Sequence, residues 1–168
     1  MELTKKERLI LANQFKILEK LYPEQAEDYS VRRKALESGF ALHYATIFEH
    51  IYDEMPEEQC REVLDILNMY RVITFSLEKI EDKGDIANHP YVKFPGFNGN
   101  TEINYLLYAE YFITDLERFK ELKYDQEYPD LNSHMPTLDK YRRMLLERHA
   151  LQDKKELTKE DIVQILDA

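Results

Sequence analysis

The sequence predicts an all-α protein: a multihelical array with a long central helix, a helical-hairpin part and no significant sheet. Only 4 glycines and 6 prolines occur in 168 residues, so the chain has few of the tight turns that a many-stranded sandwich needs. Residues 56–80 contain no glycine, and their apolar residues recur at alternating steps of four and three. That spacing is typical of one narrow face of an α-helix, here about 37 Å long. The face comprises Val63, Ile66, Tyr70, Ile73, Leu77 and Ile80.

Signals for helix ends divide the chain before this helix into shorter pieces. Thr4 and Glu7 have the spacing of a capping box, and Pro23 ends the helix that they begin. Gly39 fits the end of a second, mostly polar helix. Pro56 suits the first turn of the long helix, where its missing N–H has no cost. The predicted helical segments are residues 5–21, 24–38, 40–53 and 56–80.

Glycine and proline are concentrated in residues 81–100, which we predict to be a long packed loop. Asn100 can cap the helix that follows, which we expect to run to about Leu122. We predict that this helix packs antiparallel to the long helix, with Ile73 and Phe112 buried. Its apolar face comprises Tyr105, Ala109, Phe112, Leu116 and Phe119.

The last part of the chain predicts two more helices after a polar loop over residues 123–134. Pro136 opens a helix that we expect to end near His149. Thr158 and Asp161 resemble a second capping box and begin a final helix to about Leu166. We treat residues 1–168 as one helical unit, with sub-parts at 1–55 and 56–168.

Charge and cysteine content weigh against several classes of function. The net charge is −10, from 33 acidic and 23 basic side chains, and this weighs against nucleic-acid binding. The single cysteine, Cys60, can form no internal disulfide, which fits a reducing compartment. No stretch is typical of a signal peptide or a membrane span. We therefore expect an acidic, cytoplasmic protein with no membrane partner.

Five stretches, in order from end to end, resemble the YfbU family of bacterial proteins: ERLILANQFKIL, CREVLDILNMYR, FPGFNGNTEINYLLYAEYF, MPTLDKYRRML and LTKEDIVQILDA. The resemblance implies an all-helical, self-associating protein and supplies no reaction. Two positions depart from the family's pattern. Asn98 stands where relatives often carry aspartate, which argues against a metal or carboxylate role there. Arg148 stands where relatives can carry tryptophan, which suggests a more exposed end to that helix.

No motif predicts a catalytic, metal or cofactor site. His50 and Asp53 have a ligand spacing, but no third ligand is indicated by pattern, so no metal and no cofactor are predicted. Cys60 is more typical of a structural cysteine than of a reactive one. Adjacent basic residues, such as Arg142 and Arg143, are typical of solvated helix faces. The catalytic residues are therefore unknown, and the sequence favours a protein that is not an enzyme.

Two classes of function remain. The first is a non-catalytic, self-associating interaction or regulatory protein, a homodimer or a multiple of one, whose other protein partners are unknown. Its interface would lie near Phe15, Leu18 and Tyr70. The second is a protein or enzyme that binds an anion or metabolite at residues 94–102, where two glycines precede a helix N-terminus. The residues expected to form that loop site are Phe94, Phe97, Asn98, Asn100 and Glu102.

Overall fold

A computed structural model describes residues 2–127, 129–152 and 154–168. It is 65% helical, with seven α-helices and no strand or sheet among the described residues, which confirms the all-α prediction. The chain divides into two compact units, residues 1–54 and residues 55–168.

The first unit is built on two packed helices, α1 (Lys5–Leu21) and α2 (Ala26–Ser38). The predicted capping box is present: the Thr4 hydroxyl accepts from the Glu7 N–H at 3.2 Å, and the Glu7 carboxylate accepts from the Thr4 N–H at 2.7 Å. Gly39 ends α2 with a φ of 74°, as its position predicts. The helices enclose a small core whose buried members are Ala12, Phe15, Leu36 and Tyr44.

The third predicted segment, residues 40–53, is mostly not helical. Only α3 (Tyr44–Ile47) forms there, after a short 3-10 turn. The prediction was wrong because a helix of this size needs a buried apolar face, and Tyr44 alone is buried. Leu42 and Ile51 point into solvent instead.

The second unit is organised around α4 (Glu57–Lys79), which packs against three other parts of the same unit. Its predicted apolar face is buried from Val63 to Leu77, and Ile73 is fully buried. Leu67 and Met69 are buried as well, because α4 has neighbours on more than one side. The central helix therefore presents a wider buried surface than a narrow coiled-coil face.

The helix after the long loop is shorter than predicted. Helix α5 (Ile103–Glu110) begins after Glu102 and passes into a π-helical turn (Tyr111–Asp115), where the predicted helix to Leu122 ends. The residue buried after Ala109 is Ile113, four positions further on, instead of the predicted Phe112. Phe112, which we expected to be buried, is half-buried.

Two helices complete the second unit. These are α6 (Leu138–Ala150) and α7 (Lys159–Asp167), which pack together. The predicted capping box of Thr158 and Asp161 is present. Tyr128, part of the predicted polar loop, lies outside the described residues. None of the described helices combines the length and apolarity required to span a lipid bilayer.

The end of α6 differs from the expectation drawn from Arg148. Its side chain is buried, at 8% exposure, and one guanidinium nitrogen donates to the Lys154 carbonyl at 2.7 Å. The long aliphatic part of arginine can fill an apolar site while its charged end finds polar partners. The residue itself therefore lies inside the structure, whereas His149 and Ala150, which end the helix, are exposed.

Candidate functional site

The predicted ligand loop, residues 94–102, is fixed by backbone bonds to the segment that begins at Leu131. The Phe97 N–H donates to the Leu131 carbonyl at 2.9 Å, and the Ser133 N–H donates to the Phe97 carbonyl at 3.1 Å. Gly96 has a φ of 89°, a conformation that favours glycine. The loop is therefore held as an ordered part of the core.

The Glu102 carboxylate links this loop to the start of α6. One oxygen accepts from the N–H groups of Thr137 and Leu138, both at 2.9 Å. The other accepts from the Asn98 N–H at 2.9 Å and from the Thr137 hydroxyl at 3.1 Å. Helix N-termini attract anions because their first N–H groups have no partner within the helix. The protein's own buried carboxylate therefore fills the anion site at the start of α6.

Asn98 holds the turn that precedes α5 in the same region. Its side-chain oxygen accepts from the N–H groups of Asn100 and Thr101, at 2.8 and 3.0 Å. The cap that we predicted for Asn100 is not formed: α5 has no side-chain cap, its N-cap residue is Glu102, and Asn100 is exposed. The amide of Asn98 is buried and serves the loop itself.

An aromatic cluster lies beneath the loop and contains two of its predicted site residues. Phe94, Phe97, Tyr70 and Tyr141 are all buried, and neighbouring ring centres lie 5.2–5.9 Å apart. The Tyr141 hydroxyl donates to the Gly96 carbonyl at 2.6 Å. Burial raises the pKa of the Tyr70 and Tyr141 phenols well above the ordinary value. Neither phenol is suited to proton transfer near neutral pH.

The structure brings together four of the five predicted loop residues and gives each a packing or capping role. Phe94 and Phe97 join the aromatic cluster, and Asn98 and Glu102 bond to backbone donors. The polar side chains of Asn98 and Glu102 thus bond to groups of the protein itself. A ligand at this loop stays a prediction, because the polar side chains of Asn98 and Glu102 are already bonded to the protein's own N–H groups.

A polar cluster ties α4, α5 and α6 together at one edge of the core. The Glu62 carboxylate accepts from the Tyr105 hydroxyl at 2.9 Å and from Arg142 Nε at 2.7 Å. The bond from Arg142, more than any other contact, keeps the pKa of Glu62 below its ordinary value. Burial, aided by the bond to Glu62, raises the pKa of Tyr105 to about 12.

We expect Tyr105→Phe to change how stability depends on alkaline pH. The unfolded phenol has a pKa of about 10. Folding therefore favours the protonated form, and this contribution is present below about pH 10 and lost as the pH rises towards 12. Urea unfolding across this range should show wild type losing stability faster than the variant. Other tyrosines titrate in both proteins, so a constant difference between them would contradict the assignment.

A family model described as the YfbU domain matches residues 1–168 of this chain. The chain belongs to the YfbU family. It is also similar to the UPF0304 protein MJECS11 of Methanocaldococcus jannaschii, with 41% identity over 169 residues and 99% coverage of both sequences. The resemblance inferred from the sequence stretches is thereby confirmed over the full length.

The predicted interface residues of this YfbU-family chain differ in their access to solvent. Tyr70 is fully buried in the second unit, and Phe15 is buried between the helices of the first. Neither offers surface to a partner. Leu18 is half-buried at the edge of the first unit's core, so it alone retains exposed apolar surface.

The exposed apolar surface of α1 lies next to Leu18 rather than on it. Ile10, Ile17 and Leu21 are 49%, 58% and 64% exposed. Their steps of seven and four place them on one stripe, with Gln14 filling the gap between the first two. We call these four residues the α1 stripe. The sequence prediction named only Phe15 and Leu18 on this helix, and which neighbouring edge stays exposed depends on how α2 covers α1.

Histidine and cysteine side chains are not gathered into a site in the described part of the chain. No group of three His, Cys, Asp or Glu side chains is placed to hold a metal there. His50 lies 3.5 Å from Glu49 on the surface of the first unit. The thiol of Cys60 is half-buried at the start of α4, 3.8 Å from the Met55 carbonyl.

A cleft that the sequence did not predict lies in the second unit. It has a volume of about 580 Å³ and is bordered by α4 and the segment after the π turn. Arg71 and Arg118 both line it, although they are far apart in the sequence. Sequence reasoning considered only adjacent basic residues, and the predicted continuation of α5 would have placed Arg118 on a regular helix.

Proposed function

We propose that this YfbU-family protein is a non-catalytic interaction protein that associates with a second copy of itself. The observation that supports the proposal is the α1 stripe, whose apolar side chains are exposed on a helix that has a separate buried face. A contiguous exposed apolar surface on a water-soluble protein is typical of an interaction site. The two leucines beside it, Leu11 and Leu18, are half-buried and would extend the dry surface towards the core.

The spacing of the α1 stripe supports another helix as the occupant. Ile10, Gln14, Ile17 and Leu21 follow steps of four, three and four, which is the spacing of helices that pack side by side. A single polar residue within such a face can fix the register of the pair. Closed twofold pairing is the commonest arrangement of homo-oligomers, and it would place one α1 stripe against the other.

Further exposed side chains of the first unit supply area beyond the stripe. An interface of a specific pair buries at least about 1,000 Å² in total, which is more than four side chains provide. Large apolar side chains that are at least 46% exposed occur through the rest of the unit. They are Leu9, Tyr22, Val31, Phe40, Leu42, Ile51 and Tyr52.

The proposed setting is the cytoplasm, where a lone cysteine stays reduced. Nucleic acid is not among the proposed partners, because a net charge of −10 opposes a phosphate backbone. A regulatory role would act through assembly, so that whatever alters pairing alters the availability of this surface. We propose a dimer or a multiple of one.

Sedimentation equilibrium at micromolar concentrations tests the proposal. We expect wild type to sediment at twice the chain mass of 20.2 kDa or a multiple of that. Ile17→Asp should return it to the chain mass, since a charge in a dry interface has a large desolvation cost. Leu146→Asp is the matched control: this side chain of α6 is 69% exposed and lies in the other unit.

The control should assemble as wild type does. A wild-type protein at the chain mass throughout the micromolar range would refute self-association. An Ile17→Asp protein that still pairs would show that the interface lies elsewhere on the chain. Far-UV circular dichroism of both variants would establish that the helices are retained.

A further inference from the structure

The cleft of the second unit combines a volume suited to a small molecule with basic and aromatic walls. Small-molecule sites usually enclose about 300–1,000 Å³, and this cleft has about 580 Å³. Its charged and polar walls come from α4 and from residues beyond the π turn. The residues that line it include Asn68, Arg71, Phe112, Arg118, Phe119 and Lys120.

The lining of the cleft is positive on a chain that is strongly negative overall. Two arginines and one lysine line it together with only two carboxylates, Glu117 and Glu121, whereas the whole chain carries −10. Each carboxylate is already paired. Lys120 donates to Glu117 at 2.8 Å, and Arg71 Nε donates to Glu121. The Lys120 bond keeps the pKa of Glu117 below its ordinary value, so this pair is ionised near neutral pH.

Several hydrogen-bond donors of the cleft are not used by these two ion pairs. Arg118 forms no side-chain hydrogen bond or ion pair with the described residues, and its side chain is exposed in the cleft. Of the Arg71 nitrogens, Nε alone bonds within the described chain. The Asn68 amide likewise has no partner in the same part of the structure. The cleft thus offers two guanidinium groups and an amide to whatever enters it.

Arg71 is held in place before any ligand arrives. Its guanidinium carbon lies 3.9 Å from the centre of the Phe119 ring, and its Nε bonds to Glu121. A guanidinium stacked on an aromatic ring keeps its edge free for a planar or tetrahedral anion. Because its rotamer is already fixed, less side-chain entropy is lost on binding.

The backbone around Arg118 is strained. Glu117 and Phe119 have φ values of 49° and 55°, in the left-handed region that non-glycine residues seldom adopt. Such backbone strain occurs often at ligand sites. The Arg118 N–H donates to the Phe112 carbonyl at 2.9 Å, which holds this turn against the end of the π helix. The strained turn places Arg118 in the wall of the cleft opposite α4.

We propose that this cleft binds a small organic anion, a carboxylate or phosphate carried on a flat apolar body. Arg118 and the free nitrogens of Arg71 hold the anionic group, and the Asn68 amide donates to it. The half-buried ring of Phe112 contacts the apolar body. The site lies within the second unit and does not depend on self-association.

The experiment titrates the full-length protein with three probes: phenyl phosphate, benzoate and inorganic phosphate. Amide chemical shifts of Asn68, Arg71 and Arg118 report binding by NMR. We expect saturable shifts with at least one aromatic anion, and at least about tenfold weaker binding of inorganic phosphate, a loss of about 1.4 kcal/mol. Saturation by phenyl phosphate alone identifies a phosphate ester, and saturation by benzoate alone identifies a carboxylate.

Arg118→Ala should weaken binding of the aromatic anion by at least about tenfold, because a charge-assisted bond is lost. Arg61→Ala is the matched control. It removes the same charge from an exposed position of α4 that pairs with Glu57 outside the cleft. Its affinity should stay within about twofold of wild type, a difference of about 0.4 kcal/mol.

Three results would overturn the proposal. The first is no saturable shift with any probe up to about 10 mM, ten times a weak Kd of about 1 mM. The second is equal binding of inorganic phosphate and the aromatic anions, which leaves no role for the apolar wall. The third is an Arg118→Ala protein, folded by its NMR spectrum, that binds as wild type does.

Discussion

Gly96→Ala should destabilise the second unit by at least about 3 kcal/mol, because two costs coincide at this residue. A Cβ atom built on Gly96 would lie 1.8 Å from the Leu131 carbonyl oxygen, well inside van der Waals contact. The φ of 89° is also a conformation that alanine strongly disfavours. Relief requires the Leu131 carbonyl to move, and that breaks its bond from the Phe97 N–H. Urea unfolding followed by circular dichroism would measure the loss.

Gly99→Ala provides the control in the same loop. The nearest atom to its added Cβ is the Asn132 side-chain nitrogen at 3.1 Å, which can shift by a few tenths of an ångström. Its φ lies outside the left-handed region. We expect a loss of less than about 1 kcal/mol. Equal losses at Gly96 and Gly99 would mean that the Leu131 segment does not lie against the loop as described.

Glu102→Ala should cost about 3–5 kcal/mol, because several buried N–H groups lose their acceptor together. The substitution leaves the N–H groups of Asn98, Thr137 and Leu138 buried without an acceptor. Each unpaired buried donor costs about 1–3 kcal/mol, and partial entry of water limits the total. The free energy of unfolding in urea is again the measurement.

Glu110→Ala is the matched control for the same helix. Glu110 is the last residue of α5, is exposed, and makes no side-chain bond with the described residues. Its removal should change the unfolding free energy by less than about 0.5 kcal/mol. A Glu102→Ala protein as stable as this control would show that the carboxylate does not cap α6.

Helix starts and the central helix could be predicted from the sequence because their signals are local. Thr4 with Glu7, and Thr158 with Asp161, satisfy N–H groups three residues away, so adjacent residues contain all the information. Residues 56–80 carry a long regular period, and only a helix buries all of it on one side. These local signals are sufficient to predict helix α4 and both capping boxes.

The end of α5 could not be predicted in the same way. The positions from Tyr105 to Phe119 fit an α-helical period throughout, yet the chain widens into a π turn and buries Ile113. The left-handed residues Glu117 and Phe119 carry no local signal, since neither is glycine or asparagine. Tertiary packing therefore overrides the α-helical period of the sequence in this segment.

The loop was located from the sequence, but its chemistry was not. Glycines and prolines marked residues 81–100 as irregular, and the aromatic residues indicated packing. Nothing local indicates that Glu102 bonds to Thr137, because those residues are 35 positions apart. The α1 stripe was missed for a related reason: which edge of an apolar face is covered depends on the partner helix.

The Glu102 bonds also have a consequence for the order of folding. The middle of α6 is held by its own backbone bonds, which form locally and quickly. Its first turn acquires its acceptor only after a stretch of 35 residues has closed on itself, a step with a large entropic cost. The completed start of α6 therefore forms only together with the loop, and neither can open without releasing the other.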